Sequence, residues 1–152
     1  MTEYPSIAAT GPGQFLGRLY ECVPIKLFGT GPSLSHIFAL MTAPLGVMLY
    51  GAQKVLGDRY VLTNRGVQIW KSRGKRLTGS VKFDEYDHVE LDLVPGQEFF
   101  DAADIRFVAA DGSTKMRLKG VKDAGAFLST IERTAESRKL VDASLAVIAA
   151  RG

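Results

Sequence analysis

The chain has 152 residues and a formal net charge of +3, from 19 Lys and Arg against 16 Asp and Glu. That length suits one domain, able to bury about two-thirds of its unfolded surface. With 46% hydrophobic and 23% charged residues, a disordered tail is excluded. The single cysteine, Cys22, excludes an internal disulfide framework and reads as a reduced, buried thiol of a cytoplasmic protein.

In chain order, the first 13 residues hold Pro5, Gly11, Pro12 and Gly13 and read as an extended arm. Residues 14–28 mix apolar and polar side chains around Pro24 and are ambiguous in type. Residues 29–33 form a breaker cluster, after which Ser33 or Ser35 can cap a helix running to about Leu56. Along that helix Ala39, Ala43, Gly46, Tyr50 and Gln53 make a small-to-polar face. Ile37, Leu40, Met41, Val47, Met48 and Val55 cover much of the rest. Pro44 predicts a kink, because proline lacks the donor and crowds the preceding turn.

Residues 27–53 carry no formal charge, which raises the question of a membrane span. Crossing a ~30 Å hydrocarbon core takes about 20 apolar residues. The clean apolar run, 37–50, is shorter and is interrupted by Thr42, Pro44 and Gly46. A run of this length is more often a buried or interfacial helix than a span, and it reads as packed on the rest of the chain or on a partner, or else as interfacial or embedded in a membrane. It lies too far from Met1 for a signal peptide, and no basic stretch precedes it. The expected location is cytoplasmic, peripheral to or anchored in an inner membrane.

From Arg59 the hydrophobic period changes to two. Tyr60-Val61-Leu62-Thr63 is a short strand, Asn64-Arg65-Gly66 a tight turn, and Val67, Ile69 and Trp70 belong to the returning strand. A second turn surrounds Gly74. A third strand over 77–84 puts Leu77, Gly79, Val81 and Phe83 on one face. In a fourth, Val89, Leu91 and Leu93 alternate with Glu90 and Asp92, before Pro95-Gly96 breaks it. A fifth runs over 105–110 into an Asp111-Gly112 turn. A sixth alternates Met116 and Leu118 with Lys115, Arg117 and Lys119. Asp123 suits an N-cap for a helix carrying Ala126, Phe127, Leu128 and Ile131, and 140–150 continues as an apolar, alanine-rich helical tail. The pattern predicts an α+β fold: a strongly bent antiparallel β-sheet or barrel over 59–138, capped by its C-terminal helix. The segment 1–58 precedes it as arm and apolar helix, and 139–152 comes after it as a helical tail.

The run Tyr60-Val61-Leu62-Thr63-Asn64-Arg65-Gly66-Val67 resembles the opening of bacterial pleckstrin-homology-like (PH-like) domains. The residues beyond it are similar as well: a basic hairpin, a strand near the acidic Asp87-His88-Val89, a turn before a basic strand, and a helix after Leu118–Val121. Many such proteins carry a hydrophobic segment just before the Tyr-Leu-Thr strand. The resemblance covers about half the chain and implies a PH-like barrel with a capping helix, usually non-enzymatic, often at a membrane, with poorly defined ligands. The chain departs from the pattern in its single, Pro44-broken hydrophobic segment and its long insertion over 95–104.

The charge is distributed in blocks. Residues 1–58 are neutral, 59–82 hold seven bases and no acid, and 83–105 hold eight acids and no base. Within the basic block, Lys71, Arg73, Lys75 and Arg76 place four cations around Gly74. A hairpin tip of that composition can gather phosphate oxygens or anionic lipid head groups by charge and backbone donors, and otherwise is a solvated turn or a protein contact. Nucleic acid is disfavoured, because a strongly acidic block comes next where a coherent basic face is required. Trp70 beside the hairpin is either core or an interfacial anchor. Phe99-Phe100 either plugs the barrel mouth or meets a partner or membrane.

His88, Glu90 and Asp92 fall on one strand face. They are a possible hard-metal or acid/base set, or else an ordinary polar face opposite Val89, Leu91 and Leu93. No GxSxG or GxxxxGK sequence occurs. Gly11-x-Gly13 and Gly29-x-Gly31 lack the strand-before, helix-after setting of a dinucleotide loop. Cys22, His36 and His88 form no recognisable nucleophile–base or closed zinc set. The expectation is a non-catalytic binding module with no cofactor and no metal. The alternatives are a self-assembling protein joining basic 59–82 of one copy to acidic 83–105 of another, and a metal-dependent enzyme using His88, Glu90 and Asp92.

Overall fold

The computed structural model describes residues 1–22 and 34–151. Pro24, the breaker cluster at 29–33 and the capping role given to Ser33 lie outside them. The fold is α+β, with strands β1 (Thr2–Glu3), β2 (Asp58–Leu62), β3 (Gly66–Lys71), β4 (Leu77–Lys82), β5 (His88–Asp92), β6 (Ala102–Val108) and β7 (Thr114–Lys122). Its helices are α1 (Gly11–Glu21), α2 (Leu34–Leu56) and α3 (Ala124–Arg151).

The strands form two antiparallel sheets, ordered β1-β2-β3-β4 and β5-β6-β7. This corrects the expectation of one strongly bent sheet or barrel: β4 and β5 are not paired. A turn over 83–87, held by the Lys82–Glu85 ion pair at 3.6 Å, carries the chain from one sheet to the other. The inner faces meet in one core. Tyr60, Leu62, Val67 and Val81 come from the first sheet, and Ile105, Phe107, Met116, Leu118 and Val121 from the second. Helix α3 closes the core with Phe127 (2% exposed) and Ile131 (0%). A side chain at Gly79 would come to 3.8 Å from Met116 Sδ, so β4 lies directly over β7.

The first residues are not a free arm. Thr2 and Glu3 pair with Val61 and Tyr60 of β2, while Pro5 bridges to Val121 and Ser6 N–H donates to Gly120 C=O at 2.8 Å. This stretch ties both sheets together. Thr10 then caps α1, its hydroxyl accepting from Gly13 N–H at 3.2 Å, and Pro12 sits where the helix has no donor to lose. Cys22, just beyond α1, is exposed rather than buried.

Helix α2 continues past Pro44 without ending there. Helix α3 is one continuous element that includes the tail expected after Arg138.

Candidate functional site

The β3–β4 hairpin is aligned by pairs from Gly66–Lys82 to Trp70–Leu77, with a register shift between Ile69 and Trp70. Lys71 N–H donates to Arg76 C=O at 2.8 Å and closes the loop. The tip needs positive φ at two consecutive positions, Gly74 (84°) and Lys75 (48°). Glycine meets that without strain, and Lys75 enters the left-handed region at some cost. The result lifts Arg73, Lys75 and Arg76 into solvent, and among the described residues none of the three has an ion-pair partner. Lys71 differs, with its ammonium 2.8 Å from the Asp58 carboxylate.

The hairpin is fastened to the end of α2. Gly57 N–H closes the helix on Gln53 C=O at 2.8 Å, and Gly57 C=O accepts from Ser72 N–H at 3.0 Å. Lys54, in the last turn, lies over the rings of Tyr4 (5.8 Å) and Tyr50 (5.3 Å). Arg59, just beyond the helix, stands 5.9 Å from the Trp70 ring. Trp70 is half-buried, its indole N–H donating to Gln68 Oε1 at 2.9 Å. Cations therefore gather where α2 ends.

Helix α2 itself is turned the opposite way to a helix on a water-soluble body. From residue 40 onward, only Thr42, Gly46, Leu49 and Gln53 are partly covered, a stripe at i, i+4, i+7 and i+11. Tyr20 of α1 meets Thr42 through the two hydroxyls. Leu40, Met41 (76% exposed), Val47, Met48 (73%), Val55 and Leu56 point outward. Over residues 40–56 the packing of this helix on its own domain is thus limited to a narrow, mostly small or polar strip, and of the large apolar side chains there only Leu49 is partly covered. Contiguous apolar surface of this kind marks an interaction site. Among the described residues no helix is long and apolar enough to cross a membrane.

Phe99 and Phe100 neither plug a barrel mouth nor stand free. Their rings lie 4.6 Å and 6.3 Å from that of Tyr20 and form the seat of α1. Glu21 fastens the same contact, accepting from Gly96 N–H and Phe99 N–H, each at 3.2 Å. Arg18 Nε donates to Pro95 C=O at 3.1 Å. The long insertion at 95–104 is the platform for α1, a role visible only once Tyr20 and Glu21 are placed on one helix.

His88, Glu90 and Asp92 come apart chemically. His88 Nδ1 pairs with Asp87 at 3.0 Å, Glu90 with Arg106 at 3.3 Å, and Asp92 with Arg117 at 2.8 Å. Arg117 also holds Asp104 at 2.7 Å. Among the described residues no group of three or more His, Cys, Asp or Glu is placed to hold a metal ion. The acidic block's partners are Arg106 and Arg117 of the segment after it. The basic block lies mainly in the other sheet, and among the described residues Lys82–Glu85 alone joins the two blocks within this stretch. The division into two sheets separates the two blocks.

Comparison with protein-family models, with curated proteins and with solved structures finds no match to this chain.

Proposed function

We propose that the protein is a non-catalytic PH-like binding module that rests on an anionic bilayer surface, with the apolar face of α2 in the interfacial layer and Arg73, Lys75 and Arg76 on the lipid phosphates. The PH-like part of this reading rests on the Tyr60–Val67 motif and on a core closed by a C-terminal helix. The single observation that carries the membrane part is the joint at Gly57 and Ser72, which sets the three exposed cations beside the end of an outward-facing apolar helix. An interfacial helix binds by apolar burial plus attraction to anionic lipid, and this joint puts both in one place. Trp70, half-buried between the hairpin and Arg59, suits the interfacial level.

Each basic residue near an anionic surface contributes ~1 kcal/mol, so Arg73→Gln, Lys75→Gln and Arg76→Gln together weaken binding by roughly a hundredfold. Co-flotation with vesicles of phosphatidylcholine and phosphatidylglycerol measures this. The same experiment at high salt shows a parallel loss, because exposed charges are screened within about 8–10 Å. Absence of flotation on anionic vesicles, or flotation indifferent to the triple substitution, refutes the reading.

A further inference from the structure

The stripe of α3 that seals the core does not stop where the core does. Phe127, Ile131, Thr134 and Arg138 fall at alternating spacings of four and three and are at least partly covered. Val141, Leu145 and Ile148 continue the same spacing and are exposed, as is every residue from 139 to 151. This last stretch is about 20 Å long at 1.5 Å per residue.

Within 140–150 the only polar side chains are Asp142 and Ser144, and both are satisfied inside the helix. Asp142 pairs with Arg138 at 2.8 Å, and the Ser144 hydroxyl donates to Leu140 C=O at 2.8 Å. Pairing these groups inside the helix lowers the cost of taking them out of water. Cations bound the apolar stretch at both ends, Arg138 and Lys139 before it and Arg151 after it.

At the root of this helix lies a cleft of about 400 Å³ between the β2–β3 turn and α3, lined by Arg65, Lys82, Asp84, Arg138, Lys139 and Asp142. Among the described residues Arg65, Lys139 and Asp84 of this lining have no ion-pair partner, and all three are exposed, which leaves the unpaired charge at two cations to one anion. The turn carrying Arg65 is at the end of β3 opposite the Lys71–Arg76 loop, so this is a different surface from the basic hairpin.

We infer that the last turns of α3 are a second bilayer-contact element, inserting Val141, Leu145 and Ile148 among the lipids while Arg65 and Lys139 hold anionic head groups at the root. The inference shares the membrane-peripheral reading but concerns separate residues. The charge pattern selects the occupant: an apolar helix bounded by cations, beside a cleft where unpaired Arg65 and Lys139 outnumber unpaired Asp84, complements an anionic bilayer.

Two tryptophan reporters separate the two surfaces. Native Trp70 reports the hairpin. Leu145→Trp in a Trp70→Phe background reports α3. On an equimolar mixture of phosphatidylcholine and phosphatidylglycerol, the Leu145→Trp emission shifts to the blue, and Arg65→Gln with Lys139→Gln lowers vesicle affinity about five-fold per charge. A shift at Trp70 with none at Leu145→Trp overturns this inference and leaves the hairpin reading standing; the reverse result does the opposite. An equal shift on phosphatidylcholine alone overturns it. So does a shift without vesicles that grows with protein concentration, because then a second copy covers the helix.

Discussion

Asp58 and Lys71 face each other across the first rung of the β2–β3 ladder, the ammonium 2.8 Å from the carboxylate. Of the four cations in the basic loop, this one already has an anion. Its side chain and that of Asp58 are 45% and 33% exposed, so the pair contributes less than about 1 kcal/mol to stability. Its larger effect is on the charge shown to a partner. Asp58→Asn releases Lys71 and strengthens binding to anionic vesicles about five-fold, by the ~1 kcal/mol that a basic residue contributes near such a surface. Lys71→Gln alone changes binding less than Arg73→Gln alone. Titrating the variants with vesicles and comparing urea midpoints tests this. Equal losses for Lys71→Gln and Arg73→Gln would show that Asp58 does not restrain Lys71.

A buried carboxylate organises the platform beneath α1. Asp104, 3% exposed, accepts from Gly120 N–H (2.7 Å) and from Gln97 Nε2 (2.5 Å) on one oxygen, and from Arg117 Nε (2.7 Å) on the other. Gln97, fully buried, returns its own oxygen to Val94 N–H at 3.1 Å. Removing Asp104 strands three donors, two of them in buried contacts. Asp104→Ala therefore costs about 2–3 kcal/mol, while Asp92→Ala, which removes a half-exposed partner of the same Arg117, costs less than about 1 kcal/mol. Urea denaturation of both variants reads the difference, and equal costs would exclude the network as the source.

The strands were legible because their pattern is local. Met116 and Leu118 against Arg117 and Lys119 alternate with the pleat, and β7 buries that face. The division into two sheets was not, since pairing depends on contacts far apart in sequence. A strand as short as Thr2–Glu3 carries no period at all. Helix α1 had readable signals in Thr10 and Pro12, masked by Gly11, Gly13 and Gly17, which look like loop. Two of these glycines are there for proximity: a Cβ at Gly17 would come to 2.0 Å from Gly96 C=O, and one at Gly13 to 1.9 Å from Ile7 C=O. On α2 the presence of the helix was readable but its orientation was not. A soluble helix turns its large apolar residues inward, and here Thr42, Gly46, Leu49 and Gln53 take that side. The basic loop was visible from composition alone; its attachment to the end of α2 through Ser72 and Gly57 was not.

Tyr60 links the stability of the fold to pH on the alkaline side. Its phenol is buried in the core, donating to Lys119 C=O at 2.8 Å and accepting from Lys119 N–H at 3.0 Å. Burial pushes its pKa well above the ordinary tyrosine value, because the phenolate would be poorly solvated there. The folded chain thus keeps a proton that the unfolded chain releases near pH 10. Stability from this group is complete below that pH and falls as the pH rises through it towards the higher folded value. Tyr60→Phe leaves both Lys119 backbone groups without this partner and costs about 1–2 kcal/mol at neutral pH. In return, the variant's stability declines less between about pH 9 and pH 11, since it has no phenol to ionise at this position. Some decline persists, because burial and nearby Glu132 also raise the pKa of Tyr86. Urea midpoints of the two proteins across that range are expected to converge as the pH rises. Parallel curves would mean that Tyr60 ionises no less readily in the fold than out of it.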